Sequence, residues 1–272
     1  MGVKGLFQFL KRFEKGIHIP SYVIGKRIGV DIFWLLHKSR GDLFSFQNYM
    51  LQVVKNAKEV VCIFDGRPSE EKADALKEQR ARRKEILDTI DRIEKFVKHP
   101  FARISAANRY LINGYILELK REAWVPTPEF IETVTRWLNG KGCTIINAAE
   151  EADAVLCELA TSGKVDAVIT NDSDLIVLGC KNIIRMNSPT NGRLYDIKFI
   201  QEQINFTEQM WLEFMQLCKS MKEKDICLAY SLISVYKDLE YALQKYHNTY
   251  KEDLVENVDF VKLYDLINCQ DE

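Results

Sequence analysis

Apolar positions along the chain follow two different periods. Short runs rich in β-branched residues at 27–36 (IGVDIF, a strand turning into a helix), 60–64 and 165–170 read as buried strands, with 143–146 and 183–186 as shorter ones. Between them, residues 130–138 and 152–160 repeat at helical spacing. Strands that alternate with helices predict an α/β fold with a mostly parallel central sheet flanked by helices. Two stretches break the alternation. Residues 70–98 mix nine basic with eight acidic side chains and gain an apolar stripe only at Ile86, Leu87, Ile90 and Ile93, as a charged helix standing away from the core would. From Arg193 to Glu272 there is no Gly and no Pro, and Trp211, Phe214, Met215 and Cys218, then residues 230–243, keep helical spacing, which predicts a helical C-terminal layer. Residues 124–128 (WVPTP) and 188–192 read as loops.

Acidic residues stand where these strands end. Asp31 lies inside an apolar run, Asp65 closes a strand, Glu151 and Asp153 open a helix, and Asp172 and Asp174 follow another strand. Ligands of an open parallel sheet bind beyond the carboxyl ends of its strands, so acids from four separate segments can converge in one crevice. Taken singly, each has an ordinary explanation: Asp31 as an N-cap, Glu151 and Asp153 as first-turn acids, Asp172 and Asp174 as turn residues. Those explanations leave the apolar surroundings of Asp31 and the repeated strand-then-acid order unaccounted for. Carboxylates gathered without cations are costly to bury unless metal-bound. Oxygen ligands without His or Cys select hard ions such as Mg²⁺ or Mn²⁺, and two of them about 4 Å apart serve in-line phosphodiester displacement.

Composition bounds this picture further. With 272 residues and 47% hydrophobic side chains, the chain can bury a core, which excludes disordered and collagen-like classes. No apolar run reaches the length of a membrane span, and MGVKGLFQFLKRF lacks the features of a secretory signal, so a soluble, intracellular protein is expected. Seven scattered cysteines with no C-x-x-C spacing suggest a reducing compartment and neither a disulfide framework nor a zinc site. Leu6 occupies the position where a myristoylation signal needs Ser or Thr. The net charge of −1 argues at first against nucleic acid.

At these residues the chain resembles the flap endonuclease and exonuclease 1 family of structure-specific 5′ nucleases, and most of all its exonuclease 1 branch. The matching pieces are MGVKGLFQFLK, GVDIFWLLHK around Asp31, IFDGRPSEEK around Asp65, EEADAVLCEL around Glu151 and AVITNDSDLIVLGCKNIIRM around Asp172; they cover about residues 1–200 in the family's order. The resemblance implies a PIN-like 5′-nuclease core in one nuclease domain. Its parts would be an N-terminal nuclease region at 1–75, a helical arch or cap at 76–125, an internal nuclease region at 126–200 and a helical C-terminal region at 201–272. It implies two Mg²⁺ ions, with Mn²⁺ able to substitute, held by Asp31, Asp65, Glu151, Asp153, Asp172 and Asp174. Asp225 is the candidate for the family's last carboxylate, with a plain surface acid as the equal alternative. Lys72 would contact the scissile phosphate. The second arch cation falls on Gln79, so Arg80 beside it is the candidate for that role, with Arg82 and Arg83 as further DNA contacts. Phe33 and His37, one helical turn apart, and the N-terminal Gly2 are implied DNA-binding residues. Trp124, Tyr110 and Tyr115 could stack on bases, core packing being the commoner use of such side chains.

The match thins toward the C-terminus. The family's helix-two-turn-helix needs glycines that fall here on Leu232 and Ser234, which makes this motif degenerate, suggests one continuous helix and puts its K⁺ site in doubt. No clamp-binding tail is evident. The expectation is a monomeric, Mg²⁺-dependent 5′-3′ exonuclease or flap endonuclease acting on DNA with a 5′ flap, nick or recessed 5′ end, in replication, repair or recombination. It would work in the nucleus of a cellular eukaryote or at a site of viral DNA replication. The alternatives are a catalytically impaired relative that binds branched DNA and a D-x-D phosphatase, the latter disfavoured by Leu175 after Asp174. Without the seven proposed ligands the remaining charge is +6, so a DNA partner is compatible with the charge balance after all.

Overall fold

The computed structural model describes residues 3, 5–67, 73–99, 103–220, 226–237, 239 and 241. In chain order the strands are β1 (Lys15–His18), β2 (Arg27–Asp31), β3 (Glu59–Phe64), β4 (Thr144–Asn147), β5 (Ala167–Ile169), β6 (Asn182–Met186) and β7 (Asn191–Asp196). The helices are α1 (Leu6–Leu10), α2 (Ile19–Tyr22), α3 (Ile32–Ser39), α4 (Leu43–Val54), α5 (Ala73–Lys98) and α6 (Ala106–Glu122), then α7 (Pro128–Gly140), α8 (Ala152–Thr161), α9 (Asp174–Val177), α10 (Ile197–Ile204), α11 (Glu208–Ser220) and α12 (Ile226–Tyr236).

The strands form one sheet in the order β1-β7-β6-β5-β2-β3-β4. β2 through β6 run parallel, while β7 pairs antiparallel with β6 and β1 antiparallel with β7. The strand order reverses between β2 and β5. Side chains on successive residues of a strand point to opposite faces. Thus Val61, Ile63, Val168 and Ile183 enter a core shared with α1 and α8–α12, whereas Val60, Cys62, Phe64, Ala167, Ile169 and Ile184 enter a second core with α2–α4 and α7. Burial on both faces explains why these strands read as continuous apolar runs. Gly29 of β2 has Leu156 of α8 so close that a Cβ would press on it at 2.9 Å, which lets α8 lie directly on the strand.

The alternation expected from the sequence is present, and the described residues of the expected C-terminal layer form α10, α11 and α12; residues 221–225 and 242–272 lie outside the described residues. Two details differ. Residues 191–196, expected as the end of a loop and the start of the helical region, form β7, whose Gly192, Leu194 and Tyr195 are buried beside exposed Asn191 and Arg193. Its partner β1 carries no apolar run and therefore no strand pattern. Leu232 and Ser234 both lie inside α12, so no glycine turn interrupts that segment.

α5 and α6 form a hairpin that projects from this body. At 1.5 Å per residue, the 26 residues of α5 extend about 39 Å. Ile90 and Ile116 are its buried apolar residues; ion pairs of Lys120 with Glu94 at 2.8 Å and Arg82 with Glu122 at 2.7 Å tie the helices together. Tyr110 and Tyr115 are exposed rather than packed. Ser105 caps α6, and Thr127 followed by Pro128 starts α7, which explains the WVPTP loop. Among the described residues no helix is long and apolar enough to cross a membrane.

Candidate active site

A cavity of about 680 Å³ opens at the carboxyl ends of the parallel strands, where the strand order reverses. Asp31, Asp65, Glu150, Glu151, Asp153 and Asp172 line it, together with Phe33, Trp34 and His37 of α3, Leu76 and Gln79 of α5, and Gly66, Asn171 and Ser173. Among the described residues no lysine or arginine lines it.

Each acid is delivered by the local fold. Asp31 is the last residue of β2 and the N-cap of α3: Oδ1 accepts from the Trp34 amide at 3.0 Å. Its Oδ2 accepts from the Thr170 hydroxyl at 3.0 Å, and Thr170 Oγ1 in turn accepts from the Asp172 amide at 3.0 Å. The ends of β2 and β5 are thereby linked through one buried threonine. Asp65 follows β3, and its Oδ1 accepts from the Ala152 amide at 2.7 Å, so it sits over the N-terminus of α8 where Glu151 and Asp153 begin. The chain at Gly66 runs so close to Ala148 and Ala149 that a Cβ would collide with both carbonyl oxygens. The Gly66 amide donates to Glu150 O at 2.5 Å and the Arg67 amide to Ala149 O at 3.1 Å. Asp172 Oδ1 accepts from the Asp174 amide at 3.0 Å, and Ser173 Oγ donates to Val3 O at 3.2 Å.

The electrostatics reflect crowded negative charge. Burial, with repulsion from Asp65 and Asp172, pushes the Asp31 carboxyl up to about 6 against the opposing hydrogen bonds from Trp34 and Thr170. Burial lowers the affinity of the His37 imidazole for a proton, and Asp65 partly offsets that. An oxygen-only donor set with mutual repulsion fits a hard divalent cation, whose charge would relieve it. Among the described residues no three His, Cys, Asp or Glu side chains already stand at the spacing of a closed metal shell. The acids ring the cavity instead.

Of the expected site residues, Asp31, Asp65, Glu151, Asp153, Asp172, Phe33 and His37 meet here. Asp174 opens α9 behind Asp172 and does not line the cavity. Arg80 is exposed and does not line it either; the face of α5 toward the acids presents Leu76 and Gln79. Arg82 pairs with Glu122, and Arg83 Nε donates to Ala123 O at 2.8 Å, so both are engaged with the end of α6. Gly2, Lys72 and Asp225 lie outside the described residues. Thr170 and Glu150 carry no sequence signal of a site: Glu150 only precedes the Glu151 and Asp153 pair, and a threonine after a strand is unremarkable by itself.

Residues 142–232 match the family described as the XPG I-region. The chain is 29% identical over 211 residues to exonuclease 1 of Danio rerio, covering 71% of this chain and 24% of that protein. It is 24% identical over 310 residues to flap endonuclease 1 of Cryptosporidium parvum, covering 98% of this chain and 60% of that one. It therefore spans about a quarter of the first relative and under two thirds of the second. The catalytic core of Rad2 in complex with DNA substrate superposes with a TM-score of 0.61 at 20% identity, covering 98% of this chain and 80% of that one. Flap endonuclease-1 from Methanococcus jannaschii gives 0.56 at 15% identity, covering 92% and 81%. The sheet and its helical layers are thus the fold of the Rad2 and flap endonuclease cores, residues 142–232 match the XPG I-region, and the chain is similar in sequence to exonuclease 1 and flap endonuclease 1.

Proposed function

We propose that the protein is a Mg²⁺-dependent nuclease that hydrolyses phosphodiester bonds of DNA near 5′ ends, flaps or junctions. The observation that carries this reading is the convergence of acids from the ends of β2, β3 and β5 and the start of α8 on one cavity at the reversal of strand order. Asp31, Asp65, Glu151 and Asp153 would hold one ion, and Asp172 and Asp174 a second, with Asp153 near both and Asp225 as a further candidate. When bound, such ions lower the pKa of a coordinated water and stabilise the leaving oxygen. The chain itself does the placing. Thr170 keeps Asp31 and Asp172 at a fixed separation, and the α8 cap by Asp65 fixes Glu151 and Asp153 relative to β3. Phe33, Trp34 and His37 offer a wall against which a nucleobase or sugar can rest, and the α5–α6 hairpin acts as the arch over the opening. Lys72 would contact the scissile phosphate.

A second reading is a relative that holds branched DNA without cutting it. Its support is that α5 turns Leu76 and Gln79, rather than Arg80, toward the acids. One assay decides: incubation with 5′-labelled flap, nicked and recessed duplexes, in Mg²⁺ or EDTA, beside Asp172→Ala. Metal-dependent product from wild type alone is expected. DNA binding with no metal-dependent product favours the second reading, and equal product from Asp172→Ala overturns the site.

A further inference from the structure

We propose that Trp124 is a positioning residue that latches the foot of the α5–α6 hairpin onto α3 and sets His37 at the wall of the acid cavity. Three contacts meet at this side chain. Its ring stands edge-on to His37, with centroids 5.8 Å apart at 80°, and to Phe130, 5.6 Å apart at 85°. The turn between α3 and α4 closes over the indole at Gly41: φ is +78° there, and a Cβ would collide with indole Nε1. On the hairpin side, the two residues before Trp124 receive α5, through the Arg82–Glu122 pair and the Arg83 bond to Ala123 O. Ala123 is itself buried.

The consequence follows from helical geometry. Gln79 and Leu76 lie one and two turns before Arg83 on α5, and both line the cavity from above, whereas Phe33, Trp34 and His37 line it from α3. The width between these walls is set where α5 and α3 are joined, and residues 122–124 are that joint. An aromatic ring in edge-to-face contact with two others and closed over by a glycine turn has little freedom to shift, which suits a hinge pin. Trp124 does not line the cavity, so it acts through His37 and the hairpin rather than on substrate. Misplacement of about 1 Å in such walls can cost up to about a hundredfold in rate.

This inference rests on the nuclease reading for its activity readout alone. The variants are Trp124→Leu, which fills space without a ring, Trp124→Phe, which keeps one, His37→Ala, and Trp124→Leu with His37→Ala. On a 5′-flap duplex in Mg²⁺, Trp124→Leu is expected to lower kcat about tenfold with KM changed less than threefold, and Trp124→Phe to stay within about threefold of wild type. The double variant should lie within about twofold of the worse single one, because both act on one wall. Independently of cleavage, amide hydrogen exchange at residues 76–83 should quicken at least about tenfold in Trp124→Leu and stay unchanged in Trp124→Phe. Unchanged exchange in Trp124→Leu overturns the latch, as do multiplying losses or a Phe variant no better than Leu. If wild type cuts nothing, the nuclease reading fails while the exchange measurement still decides the latch.

Discussion

Two walls face each other across the acid cavity, and they are held in opposite ways. The sheet side is fixed by parallel strand register and buried hydrogen bonds, such as Thr170 to Asp31 at 3.0 Å between the ends of β5 and β2. The hairpin side is fixed by exposed ion pairs, with Ile90 and Ile116 as its buried apolar residues. Interiors are close-packed and resist small shifts, whereas exposed pairs in water contribute little. The carboxylates therefore sit on the rigid element, as a constellation that must be held to fractions of an ångström requires.

The largest effect expected from breaking the rigid side is chemical. Asp65→Ala and Asp65→Asn should each lower cleavage of a flap duplex on the order of a thousandfold. Their stabilities should part: the asparagine still offers an oxygen to the Ala152 amide, while the alanine leaves α8 uncapped and costs about 1 kcal/mol. Urea unfolding of the two variants beside single-turnover cleavage separates these roles. Equal stability of the two would show that the cap contributes nothing.

How much of each wall is legible in the sequence follows from the same contrast. The ends of β2, β3 and β5 are legible because strands buried on both faces are apolar throughout, and an acid closing such a run stands out. Asp31, Asp65 and Asp172 are recognisable that way. β7 is not, since Asn191–Asp196 lies toward the antiparallel edge and mixes exposed with buried positions. The hairpin is legible as a charged helix, but its phase is not. Moving from Arg80 to Gln79 is one residue, or about 100° around the helix, and the anchors at Arg82, Arg83 and Trp124 set that phase, not the apolar pattern. Thr170 escapes for another reason: a bridging hydroxyl is defined by the two strand ends it joins, which only the register brings together.

Two glycines sharpen the comparison at intermediate size. A methyl at Gly66 meets the carbonyl oxygens of Ala148 and Ala149, neither able to rotate away, so Gly66→Ala should cost about 2–3 kcal/mol. Gly114 in the middle of α6 has nothing within 4 Å of the place a Cβ would take, so Gly114→Ala should stabilise by about 1 kcal/mol through helix propensity. Thermal melts of both variants are the measurement. A loss at Gly114 as large as that at Gly66 would mean that the hairpin packs as tightly as the sheet.

The smallest effects compare an ion pair of the sheet, at the ends of β2 and β5 away from the cavity, with one of the hairpin. Asp166 binds Arg27 across β2 and β5 through the Arg27 amide at 2.7 Å, Nη2 at 2.8 Å and Nε at 3.2 Å, whereas Arg82 makes a single 2.7 Å contact with Glu122. The bonds from Arg27 hold the Asp166 carboxyl below the usual aspartate range. A carboxyl held low in the folded state adds stability above its unfolded value, and that stability is lost as pH falls through the folded value. Because the pair is about a third exposed, solvent screening limits it, and Asp166→Asn should cost about 1 kcal/mol at neutral pH. Arg82→Gln should cost at most about 0.5 kcal/mol, since that arginine is 75% exposed. In urea melts from neutral pH downward, the gap between wild type and Asp166→Asn should close only once the solution is more acidic than the ordinary aspartate range. A gap that stays constant into strong acid would show that the neutral hydrogen bonds, not the charge, hold β2 against β5.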